Sequence, residues 1–226
     1  RVGLRRFRST LNAFKALAPS AEALRGEMRS FSAALGAARD WDVFVHGLSP
    51  RNRLLREARR RHAIAQRDAR SVVASAAFNR FLLHAYAWLE EAPWQPSEGP
   101  LAPFAANALE RLHRKAVSLA DELDWSDAEQ RHLLRIRVKR LRYASDSFAD
   151  LFRSAGVHRY LSALERLQDR LGELNDIATS RRLIGELGGA PAKLRSLDQR
   201  ERDLIAGLPR AWAAFARRPR FWKGDT

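Results

Sequence analysis

The chain has 226 residues, 46% of them hydrophobic, enough to bury a sizeable core, so it reads as a folded protein and not as a disordered basic tail. Against 26 acidic residues stand 41 basic ones, a formal charge of +15 that calls for an acidic partner. The lack of cysteine excludes disulfides, thiolate catalysis and cysteine metal sites, and no apolar run approaches the roughly 18 residues of a membrane span.

Stretches rich in Ala, Leu, Arg and Glu, with almost no β-branched alternation, predict an all-α protein. In chain order the helices are expected over 1–17, 21–46, 51–90, 104–123, 127–154, 158–187, 191–207 and 210–216, with Pro19, Pro50, Pro191 and Pro209 at the joints. Apolar stripes are read in the second helix, at Leu24, Met28, Phe31, Leu35 and Ala38, and in its later counterpart, at Leu164, Leu167, Leu171, Leu174 and Ala178. Pro93, Pro96, Gly99, Pro100 and Pro103 cannot continue a helix, so residues 93–103 form a connector between a first helical half, 1–92, and a second, 104–226. Long helices joined by short turns bury their stripes against antiparallel neighbours, so each half is expected to be a bundle. The final segment, AFARRPRFWKGDT, reads as an exposed tail. No signal-like segment appears and the chain starts at an arginine, so a cytoplasmic location and a missing upstream stretch are expected.

The halves repeat each other. RVGLRRFRSTLNAF at 1–14 aligns with RIRVKRLRYASDSF at 135–148, placing Arg1 on Arg135, Arg5 on Lys139, Arg6 on Arg140, Arg8 on Arg142 and Phe14 on Phe148. Downstream, LGAARDWD from Leu35 aligns with LGELNDIA from Leu171, pairing Asp40 with Asp176. Two matches in the same order at nearly the same spacing point to two copies of one helical unit related by a pseudo-two-fold.

At about 100° per residue, His132, Arg135, Lys139 and Arg142 share one arc of a helix, with Leu134, Val138, Leu141 and Phe148 on the other side and Arg140 at the flank. The first copy gives Arg1, Arg5 and Arg8, with Arg6 at the flank, and the counterpart of His132 falls upstream of residue 1. A charged helix face is ordinarily just solvated, but such faces usually mix signs. Residues 1–15 and 131–142 contain no acid at all, so these faces repel themselves until a partner neutralises them. Nearly all the charge is arginine, whose guanidinium grips phosphate oxygens in pairs. Two such faces, set opposite each other, would suit a linear polyanion. The clusters at Arg59, Arg60, Arg61 and His62, at Arg67 and Arg70, and at Arg111, His113, Arg114 and Lys115 are better read as solvated surface.

No phosphate-binding loop, zinc-protease helix or nucleophile elbow is present, so no catalytic residue, metal site or cofactor is assigned and the chain is expected not to be an enzyme. Asp40 and Asp176 are expected to orient arginines or bridge helices rather than to bind metal. His132, ringed by cations, is expected to donate hydrogen bonds to phosphate.

The segment HLLRIRVKRLRY at 132–143, the shorter RVGLRRFR at 1–8 and the LGxxxD segments that follow them together resemble the CHAD family, the conserved histidine α-helical domain. The resemblance spans essentially the whole chain. It implies two pseudo-symmetric antiparallel four-helix bundles in one compact fold, and inorganic polyphosphate bound on a basic face or in a cavity between them. It also implies association with polyphosphate granules and their proteins in some members. By position, the ligand-facing residues would be Arg1, Arg5 and Arg8 with Arg6, and His132, Arg135, Lys139 and Arg142 with Arg140. Two departures matter: the first-half histidine is absent, and Asn175-Asp176 stands where the first half has Arg39-Asp40. The alternative is non-specific nucleic-acid binding, since charge alone does not tell one phosphate backbone from another. Single-strand binders line a basic groove with stacking aromatics. Here only Tyr143 lies near the arc, with Trp94 in the connector as a possible exception.

Overall fold

The computed structural model describes residues 2–15, 18–91, 99–152, 155–189 and 191–224. Among these the protein is all-α, with no strand: α1 (Val2–Ala13), α2 (Glu22–His46), α3 (Leu55–Val73), α4 (Ala76–Glu90), α5 (Leu101–Asp121), α6 (Ala128–Phe148), α7 (Ala155–Glu186) and α8 (Pro191–Ala216). Short 3-10 turns lie at Pro19–Ala21, Ala149–Leu151 and Phe221–Lys223. Arg1 and Trp94 fall outside the described residues, as does most of the connector.

Several boundaries differ from the sequence expectation. Helix α5 begins at Leu101, so Pro103, assigned to the connector, lies in the first helical turn, where a missing N–H costs no intrahelical hydrogen bond. The single helix expected over 51–90 is two, because Ser75 leaves the helical conformation (φ −72°, ψ 149°) and caps both sides of the break. Its Oγ accepts from the Phe78 amide at 3.1 Å and donates to the Val72 carbonyl at 2.7 Å. Conversely, Pro209 does not end a helix but sits inside α8. A proline there removes a donor and crowds the carbonyl four residues back, yet Leu208 and Trp212 on either side are 0% and 7% exposed, and their burial carries the helix through.

The chain divides into two compact units, residues 1–96 with 176–196, and residues 97–175 with 197–226. The division falls within the connector, but it also gives the first unit a later segment that a split by chain order alone assigns to the second half. The first unit is built on α1, α2 and α4, where Leu11, Leu24, Met28, Phe31, Phe81 and Trp88 form one buried cluster. Each such side chain contributes about 1.5–3 kcal/mol by leaving water. The Phe31 and Phe78 rings meet edge to face at 5.1 Å, and Trp88 Nε1 donates to Ser20 Oγ at 2.9 Å. The α2 stripe holds as read, with Leu35 only half-buried. The α7 stripe holds through Leu174, but Ala178 is exposed and Ile177 takes the inward position.

In the second unit α5 lies along α6, and α7 and α8 add Tyr160, Leu164, Leu167, Leu208 and Phe215 to the interior. The C-terminal segment is not an exposed tail. Phe221 and Trp222 are buried, with ring centroids 5.5 and 5.1 Å from Tyr160. Trp222 Nε1 donates to Glu110 Oε2 and Arg220 Nη1 to Glu110 Oε1, both at 3.0 Å. Two aromatics of the expected tail therefore close the core.

Candidate polyanion-binding site

The second unit carries the better-defined basic face. Asp127 caps α6, its Oδ1 accepting from the amides of Glu129 at 2.8 Å and Gln130 at 3.1 Å. The rotation of α6 is then fixed by burial, since Leu134, Val138 and Leu141 are fully inaccessible and Phe148 nearly so. That rotation brings the four expected residues to one side: His132 is exposed, and Arg135, Lys139 and Arg142 are half-buried. They do not stand opposite the apolar stripe but along its flank, so their stems lie on the core's edge and their charged heads reach solvent. Arg140, about 100° further round from Lys139, is exposed.

The face is not devoid of acids, as the local sequence suggests. Arg142 Nη2 lies 3.0 Å from Glu165 Oε1 on α7, and its Nε lies 3.7 Å from Asp146 Oδ2 one turn on. Asp146 could have been found from its i, i+4 spacing, whereas Glu165 comes from another helix and leaves no local signal. Arg131, at the edge of the same run, belongs to the core. It is 6% exposed, donates to the carbonyls of Trp125 and Ser126 at 2.9 and 2.6 Å, and pairs with Glu201 at 3.0 Å.

In the first unit, α1 follows the same plan. Leu4 and Phe7 pack on the core, Leu11 is buried, Arg5 is half-buried like Lys139, and Arg6 and Arg8 are exposed. Arg1 lies outside the described residues.

The remaining basic clusters divide. Arg60 and Arg61 both pair with Glu57, which these guanidinium groups hold at about 2, well below the usual carboxylate range, as expected of a solvated surface with its charges relieved. His113 is not on a basic wall at all. It is buried, its Nδ1 sits 3.0 Å from the Tyr160 hydroxyl, and burial, with help from Arg220, pushes its pKa down and favours the neutral ring. Beside it, burial acts to raise Glu110, but the Trp222 hydrogen bond and the charges of Arg220 and Lys223 outweigh it, so the carboxyl stays ionised to lower pH than usual. Asp40 bridges helices, accepting from Arg182 Nη2 at 3.0 Å, while Asp42 is taken by Arg39 at 2.6 Å with His46 and His62 nearby.

A polar flank fixed by a buried stripe thus recurs on α1 and α6. The CHAD domain family model matches residues 1–185. This chain belongs to the CHAD family. The crystal structure of the CHAD domain from the plant Ricinus communis is 32% identical, with a TM-score of 0.78 over 98% of this chain and 81% of that one. No curated protein matches the chain. No helix of this CHAD chain, among the described residues, is long and apolar enough to cross a membrane.

Proposed function

We infer that the protein binds inorganic polyphosphate along the α6 flank formed by His132, Arg135, Lys139 and Arg142, with Arg140 beside it and Arg5, Arg6 and Arg8 of α1 forming the equivalent face of the first unit. The observation that carries this reading is the rotation of α6. Because three leucine and valine side chains are fully buried, the rotation of the helix holds the basic side chains on one side of it as a row at i, i+3, i+7 and i+10. Such a row matches a linear anion of repeating phosphate groups. Membership in the CHAD family supports the same ligand and suggests polyphosphate granules as a place of action. The protein acts as a binding module and performs no chemistry on the chain it holds. A base-bearing polymer is a poorer match, since the described part of this flank offers only the half-buried Tyr143 as a stacking ring.

The test is the double substitution Arg135→Ala/Lys139→Ala. Both side chains are half-buried but lie outside the apolar stripe, so helicity should persist. If each contacts one phosphate, the slope of log K against log salt should become shallower by roughly 1.4, taking about 0.7 per contact on a flexible single-chain polyanion. Unaltered affinity and an unaltered slope would rule this flank out.

A further inference from the structure

A second basic feature lies in the same unit, in a place the repeat does not mark. α7 and α8 run antiparallel there, with Arg200 Nη2 2.9 Å from Glu173 Oε2, and next to this pair they part to leave a cleft of about 400 Å³. Its floor is apolar, with Leu167 and Phe215 both 1% exposed. Its rim is four arginines: Arg166 and Arg170 from α7, Arg210 from α8, and Arg218 just beyond the end of α8. No aspartate or glutamate among the described residues lines it.

Among the described residues none of the four makes a salt bridge or a side-chain hydrogen bond, in contrast to Arg131, Arg142, Arg182, Arg200 and Arg220. All four are exposed. One of them also lies against the backbone opposite: a Cβ at Gly207 would stand 2.8 Å from Arg170 Nη1, so a methyl group there would shift the tip of this side chain. Four like charges around one concavity raise the local potential and concentrate anions there. The cleft is also distinct from the α6 flank. Glu165 turns toward Arg142 of α6, whereas Arg166, about 100° further round α7, turns to α8.

We propose that this cleft is a binding site for a short phosphoanhydride group, a di- or triphosphate, held by Arg166, Arg170, Arg210 and Arg218. The size follows from spacing. Arg166 and Arg170 stand about 6 Å apart along α7, and Arg210 and Arg218 face them from α8 and from just beyond its end, a spread that a chain of two or three phosphates matches better than a single one. The source is either an inorganic oligophosphate or the phosphate chain of a nucleotide, whose base would use the apolar floor. The site stands independently of polyphosphate binding on α6.

The experiment is calorimetric titration of the whole chain with tripolyphosphate, alongside ATP and AMP, at near-physiological salt. Arg166→Ala/Arg170→Ala should weaken tripolyphosphate binding at least ten-fold, while Arg135→Ala/Lys139→Ala leaves most of it in place. Gly207→Ala provides a second variant. It favours the helix, so the protein should remain as stable or gain stability, yet it displaces Arg170 and should also weaken binding. ATP binding tighter than tripolyphosphate assigns the nucleotide as the source, and the reverse order assigns the inorganic chain. Tripolyphosphate affinity unchanged in the Arg166/Arg170 variant, or AMP bound as tightly as ATP, would overturn the proposal. Long-chain polyphosphate is titrated in parallel. Its loss in the α6 variant alone bears on the α6 reading and leaves the cleft untouched.

Discussion

Arg142 is held by carboxylates in the free protein, and this leads to a prediction of unusual sign. With Glu165 Oε1 3.0 Å away and Asp146 Oδ2 at 3.7 Å, Arg142 must give up or share an ion pair before it can hold a phosphate. Glu165→Gln removes the closer charge and keeps the size of the side chain. The Glu165 side chain is 54% exposed and Arg142 25%, so the pair belongs to the weak class, worth about 0.2–1 kcal/mol. At about 1.4 kcal/mol per tenfold, releasing it should tighten polyphosphate binding by roughly 1.4- to 5-fold. Removing a negative charge also raises the potential of the whole flank, so the assay is a double-mutant cycle: labelled polyphosphate is titrated into the unchanged chain, Glu165→Gln, Arg142→Ala and the double variant. The gain should vanish in the Arg142→Ala background. A gain of equal size in both backgrounds, or weaker binding in Glu165→Gln, would refute the idea that Arg142 is restrained for phosphate.

Other consequences concern stability. Arg131→Ala removes the buried end of the ion pair to Glu201 and takes this donor from the carbonyls of Trp125 and Ser126, and should cost about 3 kcal/mol, a fall in Tm of roughly 6–12 °C by thermal melting, with polyphosphate affinity unchanged below the transition. A Tm within a degree of the unchanged chain would contradict the burial assigned to it. His113 should make the second unit sensitive to acid. Its folded pKa lies below the ordinary value of 6.5, so the unfolded chain binds more protons between the two values. The stabilisation is therefore complete above pH 6.5 and is lost as the pH falls toward and through the folded value. Glu110, also depressed, adds a further loss at lower pH. Melting between pH 7.5 and 5 should show a slope that His113→Gln flattens, and an identical slope in that variant would exclude the ring as its source.

The helical class and the basic arc were legible because both are local. A 3.6-residue period and the absence of strand-like alternation are written into any window of the chain, and i, i+3, i+7 spacing puts Arg135, Lys139 and Arg142 on one side whatever packs beneath them. What failed to show was decided by contacts distant in sequence. Ser75 sits in a run of good helix formers, and its break depends on a cap geometry that no strong local signature announces. Pro209 reads as a stop and is overridden by the burial of its neighbours. His113, flanked by Arg111, Arg114 and Lys115, looked like surface until Tyr160 and Trp222, 47 and 109 residues on by simple numbering, closed over it. The Glu165 partner of Arg142 and the cleft between α7 and α8 were hidden for the same reason.

The α6 flank is proposed to recognise a polyanion without bases. Competition tests it most directly, with labelled long-chain polyphosphate bound to the whole chain in near-physiological salt and displaced by unlabelled polyphosphate, single-stranded nucleic acid or duplex nucleic acid at matched phosphate concentration. Efficient displacement by polyphosphate alone is the predicted result. Displacement by nucleic acid at equal or lower phosphate concentration would contradict it and make the protein a general or nucleic-acid polyanion binder.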